Sequence, residues 1–257
     1  MIESAQRYRK FNTFLREKFK EKVYRVGLYG GFTCPNRDGT LSRKGCSFCN
    51  PASSAPLGYV EGMSIEEQVE RGMDYIEKRH GAKKFIAYFQ DYSASYGDVE
   101  ALEKLYRSAL RHPEMVGLAV STRPDCLEEE KLALFRELQR ETFLWVELGL
   151  QSIQEEILKA MNRCHDHSSS QRAIESLHER DISVSAHVIL GYPGESKQSE
   201  AETAKFLAEK EVEGVKLHNL HIVKDTRLAK DYAEGHIEVL ELEQYIDRVI
   251  AFLELLP

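Results

Sequence analysis

The sequence predicts an α/β fold: a partial (β/α)6 TIM-like barrel of parallel strands, with an N-terminal helix. Three observations predict it. Strand-like and helix-like segments alternate six times after residue 22, and such alternation implies a parallel sheet joined by right-handed crossovers. A full eight-unit barrel takes ~250 residues, so six units and a leading helix use up a chain of 257. No G-x-G-x-x-G follows the first strand; a cysteine-bearing loop stands there instead, which disfavours a doubly wound dinucleotide-binding sheet.

Residues 1–22 read as a basic helix with Phe11, Phe14, Leu15 and Phe19 as its packing stripe, and residues 23–257 as the barrel domain. The first strand is Tyr24–Tyr29, ended by Gly30 and Gly31. Ser64 and Glu67 form a capping box for a helix that Gly81 stops. Lys84–Phe89 is the second strand, Asp98 starts the next helix, and Val116–Ser121 is the third strand. Leu127–Arg140 is helical and Phe143–Leu150 is the fourth strand. Helical pieces Ile153–Met161 and Ser168–Arg180 flank the turn between them. Ile182–Leu190 is the fifth strand, Ser196 caps a helix running to Lys210, and Val215–Val223 is the sixth strand. Leu240–Leu256 is an amphipathic helix in which the chain stops, as if a further segment followed.

Hydrophobic content of 42% and charged content of 30% are those of an ordinary globular protein. No run of 18 apolar residues and no apolar leader occurs, so neither a membrane span nor a signal peptide is expected. The cytoplasm is the expected location, where cysteines stay reduced. Charge is uneven. Residues 1–25 hold eight Lys/Arg against three Glu, leaving −12 on the rest of a chain whose net charge is −7. A basic arm on an acidic body is either a nucleic-acid contact or a solvated helix face.

Three of the five cysteines, Cys34, Cys46 and Cys49, lie on one Gly/Pro/Asn-rich loop as C-x11-C-x2-C. A polar loop gives buried apolar thiols nothing to pack on, and three is odd for disulfides. Soft thiolates gathered this way suit zinc or an iron–sulfur cluster. Zinc needs a fourth ligand, such as a histidine; a cubane on three cysteines leaves one iron free. In a barrel of parallel strands the residues just past each strand converge on one mouth. These are the cysteines, Gln90-Asp91, Ser121-Thr122-Arg123 and Gln151-Ser152; Glu147, His187, Gly191, Lys216, His218 and His221 lie in or near the later strands.

The cysteine loop, with Phe48 just before its last cysteine, resembles that of the radical S-adenosylmethionine (radical SAM) enzymes. Their usual spacing is C-x3-C-x2-C, so the long first gap marks a subgroup with an expanded loop. STRPD (121–125), WVELGLQS (145–152), NRCH (162–165), HVILGYPGES (187–196) and VKLHNLHIVKDTRL (215–228) follow in order. Over residues 24–235 they are similar to the radical SAM domain of the elongator catalytic subunit, the enzyme of wobble-uridine modification in transfer RNA, and to an uncharacterised bacterial branch beside it. The elongator subunit continues into an acetyltransferase domain for which this chain has no room, so its acetyl-radical mechanism is not implied.

The resemblance implies that Cys34, Cys46 and Cys49 hold a [4Fe–4S] cluster whose free iron binds the methionine part of S-adenosylmethionine. Phe48 belongs to a segment that meets the adenine. Gln151 and Arg163, twelve apart, match residues that reach S-adenosylmethionine. Glu147 is a candidate for the ribose or the methionine amine, and Ser121 and Arg123 join the cofactor site, Arg123 pairing a carboxylate through its forked donors. Gly191 lets the backbone approach the adenine. FQDYSASY, after the second strand, lacks the family's Gly-Gly-Glu and leaves Gln90 and Asp91 in its place. Cys164, His165 and His167 look like a metal trio, but belong to the NRCH match. The implied partners are an external electron donor of the flavodoxin or ferredoxin type and transfer RNA, with no membrane. The same chemistry on a small molecule or peptide, and a non-catalytic zinc-stabilised binding protein, are the alternatives.

Overall fold

In a computed structural model, which describes residues 7–50 and 59–257, six strands lie side by side in chain order. They are β1 (Val23–Leu28), β2 (Lys84–Phe89), β3 (Met115–Thr122), β4 (Phe143–Gln151), β5 (Ser183–Leu190) and β6 (Gly214–Asn219). Each is parallel to the next, with β1 and β6 at the two edges. The sheet curls into a half-barrel, as the β–α alternation predicts.

Alternate side chains divide between two faces, because successive residues of a strand point opposite ways. Val26, Leu28, Ala87, Phe89, Leu118, Val120, Val146, Leu148, Val184 and Val188 join the main core beneath the outer helices. Those helices are α3 (Ile65–His80), α4 (Val99–Ala109), α5 (Glu129–Glu141), α7 (His167–His178), α8 (Lys197–Glu209) and α10 (Leu242–Leu253). The intervening residues line the concave side, or lumen.

Helix α1 (Phe11–Phe19) closes one end of that lumen. Its Leu15, with Phe11, Phe14 and Phe19, packs on Val23, Ile86, Ala119, Phe143 and Trp145. The Phe11 and Phe14 rings stand 4.9 and 5.5 Å from Trp145. These contacts lie at the strand starts, so α1 is a floor beneath the barrel, opposite the mouth.

The Ser64 capping box forms as its spacing predicts, with both reciprocal bonds present. Several elements differ from the sequence reading. The basic helix spans only Phe11–Phe19, ending where Lys20 turns left-handed, and residues 1–6 lie outside the described residues. Strand β6 stops at Asn219, because Leu220 turns into a small core with Ile157, Met161, Ile189, Tyr192 and Leu228; His221 therefore lies past the strand. Two short helices are unforeseen: α2 (Pro35–Asp38) within the cysteine loop and α9 (Arg227–Ala233) after β6. Between β4 and α7, α6 (Glu155–Ala160) is shorter than read.

Candidate active site

The eleven residues between Cys34 and Cys46 are a folded detour. Cys34 is the N-cap of α2, with Pro35 in its first turn and Gly39 left-handed at its end, the pairing of residues that starts and stops a short helix. The chain returns by Leu41 N–H to Pro35 O at 2.8 Å and Gly45 N–H to Asn36 O at 2.8 Å. Asn36 is fully buried and holds the return. Its Nδ2 donates to Asn162 O at 2.5 Å and to Cys46 Sγ at 3.4 Å, and its Oδ1 accepts from Cys164 Sγ at 3.0 Å. Asn162 reciprocates, donating through Nδ2 to Gly45 O at 2.7 Å. Ser47 N–H donates to Met161 O, Ser47 Oγ meets Tyr192 OH at 2.8 Å, and Leu228 N–H donates to Ser47 O. The C-x2-C turn is thereby pinned to the segments following β4, β5 and β6.

This donor set fits a cluster. Arg163 Nη1 lies 3.3 Å from Cys46 Sγ, so a cation and the Asn36 amide both point donors at this sulfur. Burial raises the thiols of Cys34 and Cys49, against the lowering effect of Arg123 and Arg163 on Cys34 and of Arg37 and Arg163 on Cys49. Among the described residues, the one trio of possible ligands whose donor atoms all lie within 4.8 Å is half-buried Asp231 with exposed Glu234 and His236.

Beside the loop, three buried groups point polar atoms at no partner among the described residues: both oxygens of Asp91, Nη1 of Arg123 and Oε1 of Gln151. Burial pushes Asp91 up to about 6. Arg123 spends its fork on Asp125, at 2.9 and 2.8 Å, and on Arg163 O at 2.7 Å, leaving Nη1 over. Gln151 sits at φ +72°, a conformation that costs a non-glycine residue about 1 kcal/mol or more and clusters at functional sites. Unpaired buried polar atoms are costly, and an acid, a cationic N–H and an amide oxygen together suit a zwitterion with hydroxyls such as S-adenosylmethionine.

A family model for the radical SAM superfamily matches residues 34–207, and one for a radical SAM C-terminal domain matches residues 212–257. The chain belongs to the radical SAM superfamily. It is 38% identical to the uncharacterised protein YtqA of Bacillus subtilis, over 99% of this chain and 79% of that protein. It is 39% identical to protein YhcC of Escherichia coli, over 91% of this chain and 75% of that protein. Among solved structures, the archaeal Methanocaldococcus infernus Elp3 with an N-terminal deletion superposes with a TM-score of 0.69 at 20% identity. It covers 91% of this chain, which spans 54% of that one, and at such identity the likeness is one of fold. The superfamily consists of enzymes, which sets aside the non-catalytic zinc reading.

Within this radical SAM domain the sequence-predicted residues fall into two groups. The cysteines, Gln90, Asp91, Arg123, Gln151, Arg163 and Gly191 are at or beyond strand ends, and Phe48 packs on the small core around Tyr192. Arg163 also donates to Gly149 O and, through Nε, to His165 Nε2 at 3.1 Å. A Cβ on Gly149 would meet Arg163 Nη2 at 3.1 Å. At Gly191, φ is +79° and a Cβ would meet Leu240 Cδ1 at 2.4 Å; its N–H donates to Glu200 at 2.8 Å. The room over Gly191 is thus taken by the segment before α10.

Glu147 and Ser121 lie deeper, in a polar layer with one residue from each strand: Arg25, Tyr88, Ser121, Glu147, His187 and Lys216. Glu147 accepts from Arg25 Nη1 (2.7 Å), Tyr88 OH (2.6 Å), His187 Nε2 (2.8 Å) and Lys216 Nζ (3.3 Å). Burial alone would raise its carboxyl, but His187, Lys216 and Arg25 outweigh that and hold it well below the usual range. Burial lowers His187, and its Nε2 donates to the carboxylate. Sequence reasoning saw Arg25 only as part of the basic arm and missed Tyr88 and Asn36. The period-2 pattern of β1 and β2 carried the signal for the first two.

Cys164, His165 and His167 diverge. Cys164 bonds Asn36, His165 bonds Arg163, and His167 stands edge-on to Phe206 at 4.5 Å. Cys126 is buried, its thiol pushed up to about 12.

Proposed function

We propose that this radical SAM enzyme holds a [4Fe–4S] cluster on Cys34, Cys46 and Cys49, binds S-adenosylmethionine at the barrel mouth, and modifies transfer RNA, with wobble uridine as the target. The observation that carries the chemistry is the set of unpartnered buried groups on Asp91, Arg123 and Gln151 beside the pinned cysteine loop. When loaded, such a cluster supplies one electron that splits S-adenosylmethionine into methionine and a hydrogen-abstracting 5′-deoxyadenosyl radical. Asp91 would take the amino group, Arg123 Nη1 the carboxylate and Gln151 Oε1 a hydroxyl, while Arg163 steadies Cys46. The apolar floor on α1 keeps water from the strand-start end of the lumen, which radical chemistry requires. The electron comes from an external flavodoxin- or ferredoxin-type donor in the reducing cytoplasm. No helix among the described residues is long and apolar enough to cross a membrane.

The RNA reading is supported by the elongator-like motifs and by a basic face that the fold assembles from two stretches. Residues 7–25 hold eight Lys/Arg against two Glu, and residues 71–84 hold five against Asp74 and Glu77. Pairing of Val23 with Lys84, the bond from Lys22 Nζ to His80 O, and a Tyr24–His80 ring stack at 4.6 Å bring them together. Between them runs a groove of 470 Å³ lined by Tyr24, Arg25, Tyr59, Arg71, Tyr75 and His80. Cations interleaved with aromatic rings suit a single-stranded nucleic-acid segment. Filter binding of unfractionated bacterial tRNA tests this. Binding should weaken steeply with salt, by about tenfold or more between ~50 and ~200 mM, and should fall in the triple variant Lys18→Ala, Lys20→Ala, Arg71→Ala. No binding at low salt contradicts the RNA reading. The second reading, a small-molecule or peptide substrate, is favoured by the acidic remainder of the chain; accumulation of a metabolite in a deletion strain would support it.

A further inference from the structure

We infer that Arg25 and Lys216, both lying over the Tyr88 ring, form an anion-binding site in the lumen that receives a carboxylate or phosphate group carried by the substrate. The inference rests on the proposed function only for what is done to the substrate once bound.

The two cations come from opposite edges of the half-barrel, Arg25 from β1 and Lys216 from β6. Both lie over the Tyr88 ring, at 4.6 and 5.4 Å from its centroid, and Lys216 Nζ also bonds Tyr88 OH at 3.0 Å. Arg25 is clasped on its other side by Phe11 of the floor helix, at 5.4 Å. Their positions are therefore set by packing as well as by charge.

Their charge is not balanced. The one carboxylate that either cation pairs with, among the described residues, is Glu147. Tyr88 and His187 already donate to Glu147, and its single carboxylate faces two basic side chains, Arg25 and Lys216. An uncompensated charge in a partly enclosed site is costly unless a ligand supplies the counter-charge. Exposure shows on which side that ligand would sit. The Glu147 side chain keeps 3% of its surface, whereas Arg25 keeps 31% and Lys216 keeps 35%. The carboxylate is sealed, while both cations keep accessible surface for a ligand. Above them His218, on β6 two residues beyond Lys216, has its ring 4.9 Å from His187 and a buried Nε2 without a partner among the described residues. A neutral imidazole there can donate to the same anion. A substrate anchored by such a group would present a C–H bond further up the lumen, toward the mouth where the radical forms.

Calorimetric titration of the anaerobically reconstituted protein with sodium phosphate and with sodium malonate, in chloride-free buffer, tests the site; neutral malonamide is the control. One or both anions should bind saturably and malonamide should not. A response to malonate alone identifies a carboxylate, and a response to phosphate alone a phosphate. Arg25→Met and Lys216→Met should each weaken binding by about tenfold or more. Glu147→Gln should tighten it several-fold, because it frees both cations; a purely structural network predicts no gain. The proposal is overturned if neither anion binds the native protein, or if Glu147→Gln and either methionine variant, folded by circular dichroism, bind with native affinity. Because the titration requires no turnover, anion binding without S-adenosylmethionine cleavage would sink the proposed function and leave this site standing.

Discussion

Asn36 shows how one buried amide can organise a metal-binding loop. It has no titratable group and lies two residues past Cys34 in the long cysteine gap, so nothing in the sequence marked it; its role appears once the fold brings Gly45, Cys46, Asn162 and Cys164 around it. Asn36→Ala leaves buried partners unsatisfied and should cost about 1–3 kcal/mol. It should lower the iron retained after anaerobic reconstitution more than Thr40→Ala, on the exposed part of the same loop, does. Asp91 gives a pH signature. Its folded-state value, about 6, lies above the ordinary carboxylate value near 3.9, so the unfolded chain releases its proton first. Stability is highest below pH ~4, falls by up to ~3 kcal/mol as pH rises to about 6, and is level above that. In urea titrations Asp91→Asn should remove this component, so the variant gains on the native protein between pH 4 and 6. Glu195, pushed by burial to about 7, adds a loss of the same sign and remains in the variant.

At the scale of elements, much of the architecture was legible. Second-strand limits match residue for residue, and Ser64, Asp98 and Ser196 cap the helices they were expected to start, because capping chemistry is local. What was not legible depends on contacts distant in sequence. Helix α9 forms on a single Thr226 cap and the burial of Leu228 under the cysteine loop, and about two turns of helix carry too short a periodicity to read. The apolar stripe of α1 said that the helix packs, not where. It seals the floor, which makes the single tryptophan a reporter. Leu15→Ala should destabilise the protein by about 2–5 kcal/mol. Trp145 emission should shift to longer wavelength in that variant before the outer helices lose their circular dichroism signal; simultaneous loss would mean that the floor and barrel unfold as one unit.

For the whole molecule, the division of labour follows the barrel axis. The mouth carries the thiols and the polar atoms of Asp91, Arg123 and Gln151 that lack partners among the described residues; the middle layer carries charge around Glu147; the floor is apolar. Motif order revealed the first of these, since most of the motifs run through or just past a strand end. The middle layer was legible only as a set of polar residues in strands, because which of them share a level depends on sheet stagger, and Glu147 was accordingly placed nearer the mouth than it lies. The cofactor chemistry is the claim on which the rest depends. Its most direct test is to reconstitute the protein anaerobically with iron and sulfide, add dithionite and S-adenosylmethionine, and measure 5′-deoxyadenosine. The expected result is iron and sulfide in nearly equal amounts and 5′-deoxyadenosine formation that is abolished when Cys34, Cys46 and Cys49 are all replaced by alanine in a protein that still folds. Loaded protein that leaves S-adenosylmethionine intact, or a triple variant that cleaves it as well as the native chain, would contradict the account.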